Sequence, residues 1–167
     1  MAQPLMDEFS RDMRQPCHLV IPQHGFGVII AQASAVSHWE FRARVGATMD
    51  LFETGSGLTL LACQHPSRVD EILGQWGVTD AQRRLRAVEP ELNSVRQAGY
   101  RIEPSHQVVG STDMSVPVCG PFGDAVAALT CAYMEPPKIP RNRNIDATLD
   151  RLIQLSHSLS SDIGDVN

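Results

Sequence analysis

Apolar side chains recur along this chain with two periods, and the changes from one to the other mark out its elements. Leu5, Met6, Phe9 and Met13 stand three and four residues apart, the spacing of one helix face. That predicts a short amphipathic helix over 3–14, ended by Pro16. CHLVIPQ (17–23) and FGVIIAQ (26–32) are apolar runs rich in β-branched residues, with His24-Gly25 between them. Gly supplies the positive φ of a tight turn, so the pair predicts a hairpin. HWEFRARV (38–45) alternates and predicts a third strand. Its alternation puts His38, Glu40, Arg42 and Arg44 on one face and Trp39, Phe41, Ala43 and Val45 on the other.

The period then lengthens. FETGSGLTLLA (52–62) predicts a helix over 54–63 with Thr54 as its N-cap. PSRVDEILGQW (66–76) predicts a second, with Pro66 in its first turn. PELNSVRQAG (90–99) predicts a third, with Leu92 and Val95 inward and Gly99 as the stop. Strands follow at 100–103, 112–118 and 125–134, the last two joined by a GPFG turn. A final helix runs from Pro140 or Ile145 to Ile163, with Ile145, Leu149, Leu152, Ser156, Leu159 and Ile163 on one face. Hairpin-linked strands imply an antiparallel sheet covered by helices, an α+β fold and not a doubly wound α/β one.

Composition narrows the function. The chain has 167 residues, 43% of them hydrophobic, and a net charge of −5. That size suits one domain, and an acidic surface repels a phosphate backbone. No 18-residue apolar run is present, so no membrane span is expected. The N-terminus lacks a signal core, which makes the cytoplasm the default location. Of the four cysteines, Cys17, Cys63, Cys119 and Cys131, none forms a CxxC pair. Cys17 and His18 are adjacent, and in a strand neighbours point to opposite faces, which argues against a nucleophile–base pair.

The glycines of 52–62 raise the question of a phosphate cradle. A P-loop lysine is missing, and Leu60 stands where a Rossmann fingerprint needs its third glycine. Two readings remain: free N–H groups at a helix start that hold a small anion or carbonyl oxygen, or glycines that let helix and sheet approach closely. His38, His106, Glu103 and Asp113 offer metal-ligand chemistry without metal-ligand spacing, so no metal or other cofactor is expected. Ser56 with His106 or His38 lacks a G-x-S-x-G elbow, so catalysis is not expected either.

Four segments together are similar to one family. RVGATMDLFETGSGLTLLA (44–62), EPELNSVRQAGY (89–100), GSTDMSVPVCGPFGDAVAALT (110–130) and CHLVIPQHGFGVIIAQ (17–32) resemble, in register, segments of IclR-type transcriptional regulators. The resemblance runs from about residue 5 to 163. It implies a GAF-like curved antiparallel sheet of about six strands flanked by helices on both faces. It also implies that residues 1–167 form one effector-binding and oligomerisation domain. The family's winged helix-turn-helix is absent from this chain, and DNA would be met only through that missing half. The implied partners are a small organic effector, most often an aromatic or short-chain acid, and further copies of the chain in a homodimer or tetramer. The alternative is a free-standing GAF-like sensor or scaffold.

Carried over by position, Gly55 and Ser56 match the family's backbone contacts to effector, and Glu103 an acidic contact after the GY motif. Asp113 matches a position often held by cysteine. Thr130 and Ala132 match a pair that is often Ser-x-Ser. His38, Phe41, Met49 and Ser111 match a mainly apolar lining. Asp50 and Phe52 replace the usual proline and histidine, and Leu58 the usual lysine. Two carboxylates in such a pocket disfavour a bare anion.

Overall fold

The computed structural model describes residues 2–34, 43–105 and 108–165. Helix α1 (Ala2–Met13) leads into strands β1 (Cys17–Gln23) and β2 (Phe26–Ala33). Both central residues of their turn have positive φ, His24 at 52° and Gly25 at 84°, the turn whose twist matches that of paired strands. The sheet continues with β3 (Thr48–Met49), β4 (Arg101–Pro104), β5 (Ser111–Cys119) and β6 (Ala125–Met134). Its order is β3-β2-β1-β6-β5-β4, and every pairing is antiparallel. Between β3 and β4 run α2 (Gly55–Ala62), α3 (Val69–Gln75), α4 (Ala81–Ala87) and α5 (Glu89–Ala98); α6 (Ile145–Gly164) closes the chain. The architecture is the α+β one expected, with helices on both faces of a six-stranded sheet.

Alternation along the strands produces two cores. Cys17 and Leu19 of β1, Met114 and Val116 of β5, and Leu129 and Cys131 of β6 pack against Met6 and Phe9 of α1 and Leu152, Leu155 and Leu159 of α6. Val20 and Ala128 face the other way, onto Leu58, Leu60 and Leu61 of α2, with Leu73 of α3 and Leu92 and Val95 of α5 behind them. Cys17 and His18 therefore lie on opposite faces, and burial pushes the Cys17 thiol up to about 12.

Three elements differ from the sequence reading. Residues 43–45 are not strand, and Val45, on the apolar face of the expected strand, is exposed. The sheet instead gains Thr48–Met49, paired with Val28 and Gly27, after a turn at Gly46 whose φ is 88°. Residues 38–42 of that expected strand lie outside the described residues. Helix α3 begins at Val69, so Pro66 stands in the turn before it. Helix α4 was not anticipated, because AQRRLRA buries no residue and so shows no apolar stripe. Among the described residues no helix is long and apolar enough to cross a membrane.

Candidate functional site

The turn before α2 is built by side chains. Asp50 accepts a hydrogen bond from the Phe52 amide at 2.7 Å, and its carbonyl accepts one from the Thr54 hydroxyl at 2.6 Å. Thr54 then caps the helix, accepting from the Gly57 amide at 3.2 Å. Arg84 of α4 clasps this turn from outside, 3.4 Å from Asp50 and with its guanidinium 4.1 Å from the Phe52 ring centroid. Two of the departures from the family pattern, Asp50 and Phe52, thus share one partner on the helix that the sequence did not reveal.

The glycines have separate reasons. A Cβ on Gly57 would lie 2.3 Å from the Leu51 carbonyl oxygen, so this position is fixed by close backbone approach. A Cβ on Gly55 would meet the Arg101 guanidinium at 3.0 Å and the Ser115 hydroxyl at 3.2 Å. Gly55 therefore lets those two polar groups reach the start of α2. The N–H groups of the first helical turn have no carbonyl one turn behind them. Here Gly57 N–H goes to Thr54 Oγ1 and Leu58 N–H to the Thr54 carbonyl, which leaves the Gly55 and Ser56 amides at the open end.

Opposite that end, register aligns a polar row across four strands. Arg101 pairs with Ser115, Ser115 with Thr130, and Thr130 with His18. The Thr130 hydroxyl is the hub: it lies 2.7 Å from the Ser56 hydroxyl and 2.8 Å from that of Ser115. All three hydroxyls are buried. Three hydroxyls in line satisfy two bonds and leave one proton over. His18 is 8% exposed, and burial lowers its pKa to about 4, so the imidazole is neutral near pH 7.

His18, Ser56, Arg101 and Thr130 line a pocket of about 60 Å³ between the start of α2 and the sheet, with Ser115 bonded to Thr130 behind its wall. Its wall includes six of the residues singled out from sequence: Met49, Gly55, Ser56, Asp113, Thr130 and Ala132. Glu103 and Ser111 are elsewhere. Glu103 is exposed on the edge strand, in a shallow groove between α5 and β4. Ser111 is buried, its hydroxyl has no hydrogen-bond partner among the described residues, and its carbonyl accepts from the Ser105 amide at 2.9 Å. His38, Phe41 and His106 lie outside the described residues. Among the described residues no three His, Cys, Asp or Glu side chains gather as a metal site would require.

The wall also holds His18, Glu53, Arg101, Ser105 and Val108, which sequence reading passed over. His18 had a signal, since CHLV alternates and Cys17 and Leu19 claim the core side. Arg101 had none, because its place depends on pairing with a strand ten residues away and on the missing side chain of Gly55.

Comparison with known proteins fits this arrangement. Residues 1–161 match the family described as bacterial transcriptional regulator IclR C-terminal. The HTH-type transcriptional regulator KdgR of Escherichia coli K12 is 26% identical over 162 residues, 95% of this chain and 59% of that protein. The chain thus spans about three-fifths of the relative's length. The solved C-terminal domain of E. coli KdgR aligns with a TM-score of 0.72 at 23% identity, covering 96% of this chain and 94% of that one. The Thermotoga maritima IclR structure aligns at 0.73 and 20%, covering 96% and 66%. The chain belongs to the IclR family, as the C-terminal part of a bacterial transcriptional regulator.

Proposed function

We propose that this chain senses a small polar organic effector in the pocket at the start of α2, and that occupancy alters how copies of the chain pack together. The observation that carries this reading is the buried hydroxyl row Ser56–Thr130–Ser115, set beside a buried neutral His18 at an open helix N-terminus. Polar groups placed this deep cost stability unless they serve a bound molecule or a structural bond. The effector's oxygen atoms meet the Gly55 and Ser56 amides, and Met49 and Val108 contact its carbon atoms. The family relatives are regulators, so the response is a change of assembly and not a reaction. Dimers or tetramers of the chain would set the spacing of DNA-reading parts that lie outside residues 1–167. For this to switch anything, effector must bind two arrangements with different affinity.

A thermal-shift screen against small acids, amino acids, sugar acids and amines tests the reading. A ligand at about a hundred times its Kd adds roughly 2.7 kcal/mol to the folded state. Ser56→Trp, which fills the pocket from its wall, should abolish the shift. A hit that survives Ser56→Trp unchanged would place the ligand elsewhere. Sedimentation with and without the hit checks the coupling to assembly, and an unchanged profile would remove it.

A further inference from the structure

Strand β1 puts a polar ring where its own pattern calls for an apolar side chain. Val20, on the same face of β1, is fully buried and lies beneath α2. His18 is buried too, but it lines the pocket beyond the end of that helix. Its ring makes no hydrogen bond among the described residues, and burial alone accounts for its lowered pKa. The residues directly across from it are engaged elsewhere. Gln32 of β2 donates to the Ser34 hydroxyl, and Thr130 of β6 is joined to Ser56 and Ser115. Buried polar side chains are nearly always hydrogen-bonded. The pocket is the side on which this ring can meet a partner.

The row across the sheet has two unlike ends. Arg101 stands on β4 at one end and His18 on β1 at the other, with Ser115 and Thr130 between them. Arg101 is a fixed cation, and the start of α2 adds the positive end of a helix dipole. His18 offers something different. A ring nitrogen at the pocket wall is a donor in one tautomer of the neutral imidazole and an acceptor in the other. It can therefore meet a carbonyl or a hydroxyl oxygen. A methylene in the same place leaves that buried nitrogen unpaired, which costs affinity. The cavity of about 60 Å³ limits the ligand to a few non-hydrogen atoms, so one oxygen is a large part of what the pocket can read.

Resting on the pocket reading above, we propose that His18 is a specificity-determining residue whose ring hydrogen-bonds a hydroxyl or carbonyl oxygen of the effector, so that the pocket selects oxygenated ligands over alkyl ones of the same charge. Arg101 and the α2 amides act on the charged group, which such ligands share. His18 acts on the substituent, which they do not.

Isothermal titration of the 1–167 protein with propionate, L-lactate and pyruvate, acids of one length that differ at a single carbon, tests this. Lactate or pyruvate should bind about tenfold or more tighter than propionate. His18→Leu, close to histidine in volume, should bring the probes to within about twofold of one another. His18→Gln keeps a donor and an acceptor and should recover part of the margin. Urea midpoints of the variants report that they fold. In nitrogen spectra of histidine-labelled protein, the ring signal that His18→Gln removes should move more with saturating lactate or pyruvate than with saturating propionate. A margin that survives His18→Leu overturns the role of His18, while Ser56→Trp sensitivity keeps the pocket. Propionate binding as tightly as both other acids overturns it as well. If none of the probes binds, the proposal fails, and a silent effector screen beside it removes the pocket too.

Discussion

On one face of the sheet, Leu19, Met114, Val116, Leu129 and Cys131 meet α1 and α6 in a continuous apolar layer. On the other face, the alternate residues of the same strands divide: Val20 and Ala128 lie beneath α2, while His18 and Thr130 carry polar atoms to the pocket at that helix's open end and Ser115 holds the Thr130 hydroxyl from behind. Neighbouring residues thus serve opposite ends, because a strand sends successive side chains to opposite faces. The first face holds the fold together. On the second face, α2 covers only part of the sheet, and the uncovered part holds the polar groups suited to recognition.

The contrast can be broken from either side. Leu129→Ala, in the apolar layer and fully buried, should cost about 4 kcal/mol in urea unfolding and leave the affinity of any pocket ligand nearly unchanged. Gly57→Ala puts a methyl against the Leu51 backbone and should cost about 3 kcal/mol. Because α2 carries the pocket's amides, this change should also weaken ligand binding, and a stable protein with normal affinity would show that helix and sheet can separate freely.

His18 sharpens the comparison through pH. Its folded pKa is lowered to about 4 from 6.5, so the unfolded chain takes up the proton first as pH falls. The stability tied to the neutral ring is complete above about pH 6.5 and is lost progressively down to about pH 4, roughly 3 kcal/mol in all. His18→Gln should flatten the stability profile in that window by this amount, measured as the difference between the two proteins' urea titrations. Thr130→Val removes the hub of the hydroxyl row and should cost about 1–2 kcal/mol of stability, with a larger loss of ligand binding. The smallest effect belongs to Arg84→Ala. Its ion pair with Asp50 is about one-third exposed, so the expected cost is about 0.5 kcal/mol, visible as a small drop in thermal midpoint.

What sequence could convey follows the same division. β1, β2, β5, β6, α1, α2, α5 and α6 were legible because each buries a stripe or an alternating set. α4 was not, since it has no fully buried residue and sets only Ala81 and Leu85 against the core, and β3 is only two residues long. In the pocket, the start of α2 was legible from Thr54 and the glycines, and Met49, Asp113, Thr130 and Ala132 from their place in family segments. Arg101 was not, and His18 was legible only as the residue that CHLV turns away from the core. His18 and Thr130 are more than a hundred residues apart in sequence, and only the pairing of β1 with β6 makes them neighbours. Strand pairing between distant segments is the information that local periodicity lacks.

The line of three hydroxyls has one more consequence. Ser56, Thr130 and Ser115 form two bonds whichever way their protons run. With the protons running from Ser115 toward Ser56, the Ser56 oxygen presents a hydrogen to the pocket; reversed, it presents a lone pair. Turning three hydroxyl rotors breaks no heavy-atom contact and changes no charge. The wall can therefore greet a carbonyl or a hydroxyl at the same spot with little preference. By contrast, Arg101 cannot change sign. Two ligands that differ only in the oxidation state of one carbon should be hard for this pocket to tell apart, while two that differ by one charge should be easy.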